Sequence, residues 1–183
     1  EWRGRPIGVT NGERGTCIIT SSYEARAYGI KTGMRVKEAR SLCPGFIQVA
    51  SRPGRYTQVS SAIMTSLEDI TPDIEIYSVD EAFLDLTHCQ SYYNSTAQAM
   101  GRLIKQTIFR ASGLLCSIGI SGDKTTAKYA AKQHKPDGLT VIDPWEAEAR
   151  LADVPVTDLC GISDGIGAFL KARGVATCGQ MKG

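Results

Sequence analysis

The 183-residue sequence has no CxxC pair and only two histidines, which argues against a zinc site. It also has no apolar run near the roughly 18 residues of a membrane-spanning helix, so we expect no membrane partner. The six cysteines lack the spacing of a secreted disulfide framework, and we interpret them as reduced core thiols of a cytoplasmic protein. The first residues contain neither a methionine nor an apolar signal core, which is typical of a segment from within a longer protein.

Lysine and arginine are absent from residues 56–101, although that stretch holds seven acidic residues. The flanking blocks are basic: residues 1–55 hold ten Lys and Arg against four acids, and residues 102–136 hold seven against one. Because the chain is 42% apolar and 22% charged, wholesale disorder is excluded. An acidic centre between basic blocks favours a cation site beside surfaces that bind a polyanion, whereas intermixing of the blocks on the folded surface is the plainer alternative.

Short β-branched runs alternate with amphipathic stretches along the chain. Apolar residues recur at helical spacing over 56–70 and 97–111, and a hairpin is predicted across 6–20 around a glycine-bearing loop. Further strands are expected at 74–78, 82–86, 114–120 and 139–142, and further helices near 23–28, 35–42 and 124–134. This order predicts an α+β fold with a mostly antiparallel sheet and helices on one face.

Two neighbouring carboxylates, Asp80 and Glu81, separate the apolar runs 74–78 and 82–86. A tight bend would bring both to one edge of the sheet, where their mutual repulsion favours a bound cation. Hard oxygen ligands of this kind suit Mg²⁺, which typically binds one or two carboxylates plus substrate phosphates. A simple polar turn is the alternative, and Asp85 is better explained as a solvent-facing strand residue.

One face of the predicted helix near 124–134 carries lysines at spacings of four, four and three: Lys124, Lys128, Lys132 and Lys135. Ammonium groups in a row repel one another unless an anion neutralises them. The face therefore predicts contact with phosphate, from a DNA backbone or a nucleoside triphosphate. An ordinary solvated face is the alternative.

Tyr23 and Arg26 lie three residues apart at the start of a predicted helix and can face the same way. A planar guanidinium grips phosphate oxygens through two hydrogen bonds, and a neighbouring phenol adds a third. The pair predicts a second phosphate contact, with a structural salt bridge of Arg26 as the competing explanation.

Together these residues resemble the Y-family lesion-bypass DNA polymerases, most closely their bacterial DNA polymerase IV branch. Four motifs carry the resemblance, in the family's order and over nearly the whole chain: 22–26 with Gly29, 78–87, 118–124 with 135–138, and 159–175. The resemblance implies a palm-type α+β fold, with fingers at 1–51, palm at 52–142, and the start of a helical thumb with a helix-hairpin-helix at 143–183.

The same resemblance implies template-directed transfer of a deoxynucleotide to a primer 3′ end during bypass of damaged DNA, with two Mg²⁺ ions. The implied catalytic and metal-binding residues are Asp80 and Glu81. The implied nucleotide-binding residues are Thr20, Tyr23, Arg26 and Lys135, and the implied DNA contacts are Lys124, Lys128, Gly161 and Gly165. The expected partners are primer-template DNA and deoxynucleoside triphosphates, and any sliding clamp would bind regions outside this chain.

Several parts of the family pattern are not found in the sequence. The family's first metal-binding Asp and its ribonucleotide-excluding aromatic residue lie in a strand that would precede Glu1, and its little-finger domain would follow the thumb. We therefore expect a fragment that shows little or no primer extension by itself. Ser163 stands where a glycine usually allows close approach to phosphate, which weakens the prediction of DNA binding by 161–174.

Two other functions use a related fold. A nucleotide cyclase also has an acidic hairpin on a palm-like sheet, but paired glycines normally precede its acids, where this chain has Ser78 and Val79. A non-catalytic DNA-binding or scaffold relative is disfavoured by the retained Asp80 and Glu81. That alternative stays open, because the first metal-binding Asp would lie upstream of Glu1.

Overall fold

The structure is a computed structural model that describes residues 2–89 and 96–181. The chain packs as two compact units, one ending at Tyr56 and the other beginning at Thr57. Each unit is described separately below. Within the described ranges, no helix combines the length and the apolar character that crossing a membrane requires.

The first unit contains a three-stranded sheet of strands β1 (Ile7–Thr10), β2 (Ile18–Ser21) and β3 (Ile47–Ala50), with β1 in the middle. Strand β1 pairs antiparallel with β2 and parallel with β3, so the predicted hairpin across 6–20 is confirmed. Two short helices follow β2: α1 (Tyr23–Ala27) and α2 (Val36–Leu42). Together they bury a small core made of Ile18, Ala25, Ile30, Val36, Ala39, Cys43 and Phe46.

The later elements alternate helices with short strands. They are α3 (Pro53–Glu68), β4 (Ile74–Ile76), β5 (Ala82–Leu84), α4 (Ala97–Ser112), β6 (Ile118–Ile120), α5 (Lys124–Gln133), β7 (Leu139–Val141), α6 (Pro144–Leu151) and α7 (Asp164–Lys171). Short 3-10 helices lie at Val156–Asp158 and Cys178–Met181. Each predicted helix is found, with ends shifted by a few residues.

The prediction of an α+β fold is confirmed, but the strand pairing differs from a mostly antiparallel sheet. Among the described strands, β4 pairs antiparallel with β5, and β6 pairs parallel with β7. The chain runs from β6 through α5 to β7, and a helical crossover of this kind returns the chain in the same direction, which makes the pair parallel. Three small sheets result.

The second unit is held together by the apolar faces of α3 and α4. Apolar residues that recur at helical spacing in the sequence contribute to one buried cluster there: Met64, Leu67, Ile70, Met100 and Ile104. Helix α4 begins where the Thr96 hydroxyl accepts a hydrogen bond from the Ala99 N–H at 3.2 Å, and it ends at Gly113, whose φ is +70°. Gly113 therefore ends this helix in a left-handed conformation, just after the range 97–111 predicted from the sequence.

The six cysteines are all free thiols, but the prediction that they are core residues is wrong for Cys17, which is exposed. Cys17 directly precedes the fully buried Ile18 on β2, and successive side chains of a strand point to opposite faces. Cys43 is buried, whereas Cys116 and Cys178 are partly buried. Burial raises the pKa of both Cys116 and Cys178 above the usual range, which favours the neutral thiol.

Gly119 allows α5 to lie directly against β6. A Cβ at this position would lie 2.0 Å from the Ala127 carbonyl oxygen and 2.4 Å from the Ala131 nitrogen, both of which belong to the helix backbone. Backbone atoms cannot rotate away from an added methyl group as a flexible side chain can. Gly119→Ala should therefore lower the free energy of unfolding by about 1–3 kcal/mol. Urea unfolding followed by circular dichroism measures this change.

The matched control is Gly165→Ala in α7, where an added Cβ meets no atom within 4 Å. That variant should be neutral, or more stable by about 0.5–1 kcal/mol, because glycine costs backbone entropy in a helix. An unchanged urea midpoint for Gly119→Ala would contradict the close approach of α5 to β6.

Candidate functional site

The tip of the β4–β5 hairpin carries the two neighbouring carboxylates. The last strand pair joins Ile76 to Ala82, and the N–H groups of Tyr77 and Ser78 both donate to the Glu81 carbonyl oxygen at 3.0 Å. These bonds close a tight turn that leaves Asp80 and Glu81 exposed. The predicted junction of two strands at residues 79–81 is therefore confirmed.

Ser78 holds the Asp80 carboxylate in place. The Ser78 hydroxyl donates to Asp80 Oδ1 at 2.7 Å, and the Asp80 N–H approaches the Ser78 Oγ at 3.4 Å. Hydrogen bonds of this local type fix the direction of a short side chain at a turn. Asp80 keeps its second carboxylate oxygen free of hydrogen bonds to other described residues.

The Glu81 carboxylate is paired with Lys128 of α5. Lys128 Nζ donates to Glu81 Oε2 at 3.0 Å and lies 4.0 Å from the centre of the Tyr77 ring, so a carboxylate and an aromatic face both contact the ammonium. Partial burial by itself lowers the pKa of Lys128, but the hydrogen bond and charge of Glu81 outweigh it and raise the pKa. Lys128 is therefore a permanent cation beside Glu81.

The rest of the lysine face of α5 also contacts protein groups. Lys124 forms an ion pair with Glu75 of β4 and lies 5.8 Å from the Phe83 ring, while Lys132 donates to the Asp158 carbonyl oxygen at 3.3 Å. The anions beside Lys124 and Lys128 are thus protein carboxylates. Contact of these two lysines with DNA stays a prediction.

Lys135 differs from the other lysines of this face. It follows the end of α5 by two residues and is exposed, and it forms no hydrogen bond or ion pair with any residue in the described ranges. A lysine without a protein partner is free to bind an anion from solution. Binding of a nucleoside triphosphate by Lys135 stays a prediction.

In the first unit, Ser22 sets the direction of α1 and so of its polar face. The Ser22 hydroxyl accepts from the Ala25 N–H at 3.2 Å and from the Ile7 N–H at 3.1 Å, which caps the helix and ties it to β1. Tyr23 and Arg26 then share one exposed face, with the guanidinium carbon 4.9 Å from the centre of the Tyr23 ring. The predicted common face is confirmed.

Arg26 retains donors for a ligand. Its Nε donates to the Ser21 carbonyl oxygen at 3.1 Å, which fixes the plane of the guanidinium group and leaves the two terminal nitrogens available. Among the residues that the structure describes, Arg26 forms no ion pair, so the alternative of a structural salt bridge finds no support there. Thr20 is exposed on the neighbouring strand β2.

Asp85 is exposed, as predicted, but it lies one residue after the end of β5 rather than within the strand. Its Oδ1 accepts from the Thr87 N–H at 2.8 Å, and its backbone oxygen accepts from the Thr71 hydroxyl at 2.9 Å. The hydrogen bonds from Thr87 lower the pKa of the Asp85 carboxyl. This carboxylate therefore stabilises the turn after β5.

The carboxylates of Asp80 and Glu81 suit a divalent cation by their chemistry, because Mg²⁺ prefers hard oxygen ligands. Two carboxylates do not make a full set of protein ligands. Over residues 2–89 and 96–181, no group of three or more His, Cys, Asp or Glu side chains is placed to hold a metal ion. The hairpin tip therefore fits part of a metal site.

Residues 156–171 form a 3-10 turn, a loop and helix α7, the local pattern of a helix-hairpin-helix. Gly161 has a φ of +88°, a left-handed conformation that only glycine adopts readily. Gly165 lies in the first turn of α7, and Ser163 is the residue before that helix but makes no side-chain capping bond. DNA contact by Gly161 and Gly165 stays a prediction.

Three residues at or near these sites were not found by sequence reasoning. Glu75 and Tyr77 contact the lysine face from the hairpin, and Lys105 binds the turn that follows Lys135. The absence of basic residues from 56–101 pointed to an acidic surface beside a basic one, but spacing alone does not show which acid meets which lysine.

Comparison with known proteins gives matches that extend over both units. The model of the impB/mucB/samB family matches residues 1–132. DNA polymerase IV of Moorella thermoacetica is 39% identical over 184 aligned positions, which cover 99% of this chain and 46% of that protein. DNA polymerase IV of Listeria monocytogenes serotype 4a is 40% identical, covering 100% of this chain and 51% of that protein. The chain thus spans about half the length of the curated relatives it matches.

Solved structures agree with the sequence matches. A ternary complex of Dbh has a TM-score of 0.84 at 30% identity, covering 96% of this chain and 52% of that chain. DinB from Sulfolobus solfataricus has a TM-score of 0.82 at 30% identity, with the same shares covered. The fold is therefore shared with these proteins over nearly the whole chain.

Proposed function

Because this chain belongs to the impB/mucB/samB family of Y-family DNA polymerases, we propose that it forms part of a lesion-bypass DNA polymerase. The proposed reaction is template-directed transfer of a deoxynucleotide to a primer 3′ end on damaged DNA. The proposed substrates are primer-template DNA and deoxynucleoside triphosphates.

The observation that carries this proposal is the exposed hairpin tip with Asp80 and Glu81. Both carboxylates are held, one by the Ser78 hydroxyl and the other by the Lys128 ammonium. Side chains that are fixed before a ligand arrives lose little freedom when it binds. We assign catalytic and metal-binding roles to both.

Two Mg²⁺ ions are the cofactors proposed for this site, and Asp80 and Glu81 would supply carboxylate ligands to them. When bound, such ions stabilise the negative charge that develops on the transferring phosphoryl group. Asp80 and Glu81 would present their oxygens at the tip of the β4–β5 hairpin. Lys128 offsets part of the charge of Glu81, which limits the repulsion between the two carboxylates.

The nucleotide would be bound by Thr20, Tyr23, Arg26 and Lys135. The free guanidinium nitrogens of Arg26 suit two phosphate oxygens at once, and the exposed Tyr23 adds a phenol donor. Lys135 adds a compact positive charge without a competing protein partner. In this proposal, each of these two cations would offset charge on the departing pyrophosphate.

We propose the family's division of the chain as well, with fingers at 1–51, palm at 52–142 and the start of the thumb at 143–183. In this proposal, DNA is contacted by Lys124 and Lys128 of the palm and by Gly161 and Gly165 of the thumb. A sliding clamp would bind outside this chain. We also propose that the protein is cytoplasmic.

The proposal is tested by primer extension with the full-length protein on a template that contains an abasic site, with all four deoxynucleotides and Mg²⁺. We expect extension to the site and past it, and loss of extension when a chelator removes the metal. The control template is the same sequence without the lesion.

A non-catalytic DNA-binding relative is the second candidate, since the hairpin tip with Asp80 and Glu81 fits only part of a metal site within the residues that the structure describes. Such a protein would bind the primer-template in a gel-shift assay and extend neither template. That outcome would overturn the proposed polymerase activity.

A further inference from the structure

Lys105 lies on the third turn of α4 and has no role in the function proposed above. Its side chain is only 21% exposed. Its ammonium donates to the carbonyl oxygens of Cys116 and Asp137, each at 2.7 Å, and to the Asp137 carboxylate. The Gly138 carbonyl oxygen lies at 3.4 Å. An ammonium has three protons, so these acceptors saturate it. Lys105 therefore has no donor left for a ligand.

The acceptors of Lys105 belong mainly to the turn between α5 and β7, which is the turn that carries Lys135. This turn is tightly folded: Asp137 has a φ of +60°, and a Cβ on Gly138 would lie 2.2 Å from the His134 carbonyl oxygen. Two further bonds join Gly138 to the start of β6, through the Ser117 hydroxyl and the Ile118 N–H. Lys105 adds the charged connection from α4.

The position of Lys135 depends on this backbone alone. Its own side chain has no hydrogen bond or ion pair to any residue that the structure describes, so no contact beyond the turn directs it. The groups that hold Asp137 and Gly138 in place therefore also determine the position of the Lys135 backbone, from which its side chain extends.

We propose that Lys105 is a positioning residue for the nucleotide-binding Lys135: it fixes the turn that carries Lys135 and neutralises the Asp137 carboxylate two residues away. The inference rests on the proposed function, in which Lys135 binds the triphosphate. Two physical effects act in the same direction. A fixed turn lowers the entropy lost when the triphosphate binds, and a neutralised Asp137 does not repel phosphate.

The experiment measures steady-state incorporation of a single nucleotide by the full-length protein with Lys105→Met, which keeps the aliphatic stem and removes the charge. We expect KM for the deoxynucleotide to rise about ten-fold while kcat changes less than about two-fold, because the substitution affects nucleotide binding rather than the chemical step. The matched control is Arg102→Met on the same helix, whose Nε donates only to the Gln98 carbonyl oxygen of α4. That variant should keep the wild-type KM.

A double-mutant cycle with Lys135→Ala separates positioning from a general structural role. If Lys105 acts through Lys135, Lys105→Met adds no further rise in KM once Lys135 is alanine. An equal rise in both backgrounds would overturn the inference, and so would an unchanged KM in Lys105→Met when Lys135→Ala weakens nucleotide binding. If Lys135→Ala itself leaves KM unchanged, the proposed nucleotide-binding role of Lys135 is wrong, and the inference about Lys105 is wrong with it.

Lys105→Gln is a second variant in case Lys105→Met does not fold. An amide retains two donors for the carbonyl oxygens but not the positive charge. We expect an intermediate rise in KM of about three-fold, since only the charge on Asp137 is left without its partner. A wild-type KM for a folded Lys105→Gln protein would show that neutralising Asp137 contributes nothing.

Discussion

Replacing Asp80 or Glu81 by alanine in the full-length protein should lower the single-turnover rate of nucleotide incorporation by about 10³-fold or more, because metal ions supply several kcal/mol of charge stabilisation. The melting temperature should stay close to that of the wild type. Both side chains are exposed at the hairpin tip, and substitutions at exposed sites usually change stability by less than about 0.5 kcal/mol. Removing one of two repelling carboxylates can even raise the melting temperature slightly.

Glu75→Ala is the matched control for this prediction. Glu75 is an exposed acid of the same hairpin, and it pairs with Lys124 of α5 as Glu81 pairs with Lys128. Its removal breaks an ion pair of the same kind at a position that is not assigned to the metal. The Glu75→Ala protein should therefore incorporate nucleotides at nearly the wild-type rate.

Three results would contradict the assignment of Asp80 and Glu81. Normal incorporation by both alanine variants would mean that the acidic pair is only a polar turn. Loss of activity together with a large fall in melting temperature would mean that the pair is structural. Equal losses in the Glu75→Ala control would point to the ion pairs between hairpin and helix, rather than to the carboxylates at the tip.

The sequence was sufficient to place the hairpin tip and the common face of Tyr23 and Arg26, because both depend on local order. A pair of acids between two apolar runs gives a turn with exposed carboxylates, whatever surrounds it. A spacing of three residues likewise gives a common helix face. These predictions needed no knowledge of the tertiary structure.

Partners far apart in the sequence could not be predicted in the same way. The lysine face of α5 predicted an anion, but phosphate and carboxylate satisfy the same charge, and Lys128 meets Glu81 across 47 residues. The acceptors of Lys105 are largely backbone carbonyl oxygens, which every residue possesses. Cys17 is exposed although it directly precedes the buried Ile18, and the general tendency of cysteine to be buried could not predict this difference.

Replacing Arg26 or Lys135 by alanine should cost about 2–4 kcal/mol of transition-state stabilisation, which corresponds to a fall in kcat/KM of roughly 30- to 1000-fold. Both side chains are exposed and lack ion-pair partners among the described residues, so their charges are available to the triphosphate. Arg26→Lys should recover only part of the loss, because an ammonium keeps the charge but not the planar pair of donors. Lys132→Ala is the control for Lys135, since Lys132 already donates to the Asp158 carbonyl oxygen.

The decisive measurement for these two residues compares inhibition of the full-length protein by a nucleoside triphosphate and by the matching monophosphate. The wild type should prefer the triphosphate through the charges of Arg26 and Lys135, and this preference should weaken as salt screens them. Each alanine variant should lose much of the preference while its affinity for the monophosphate changes little. If both forms weaken equally, the residue acts on the base or sugar, or on folding, and the assignment of its charge to the phosphates would be wrong.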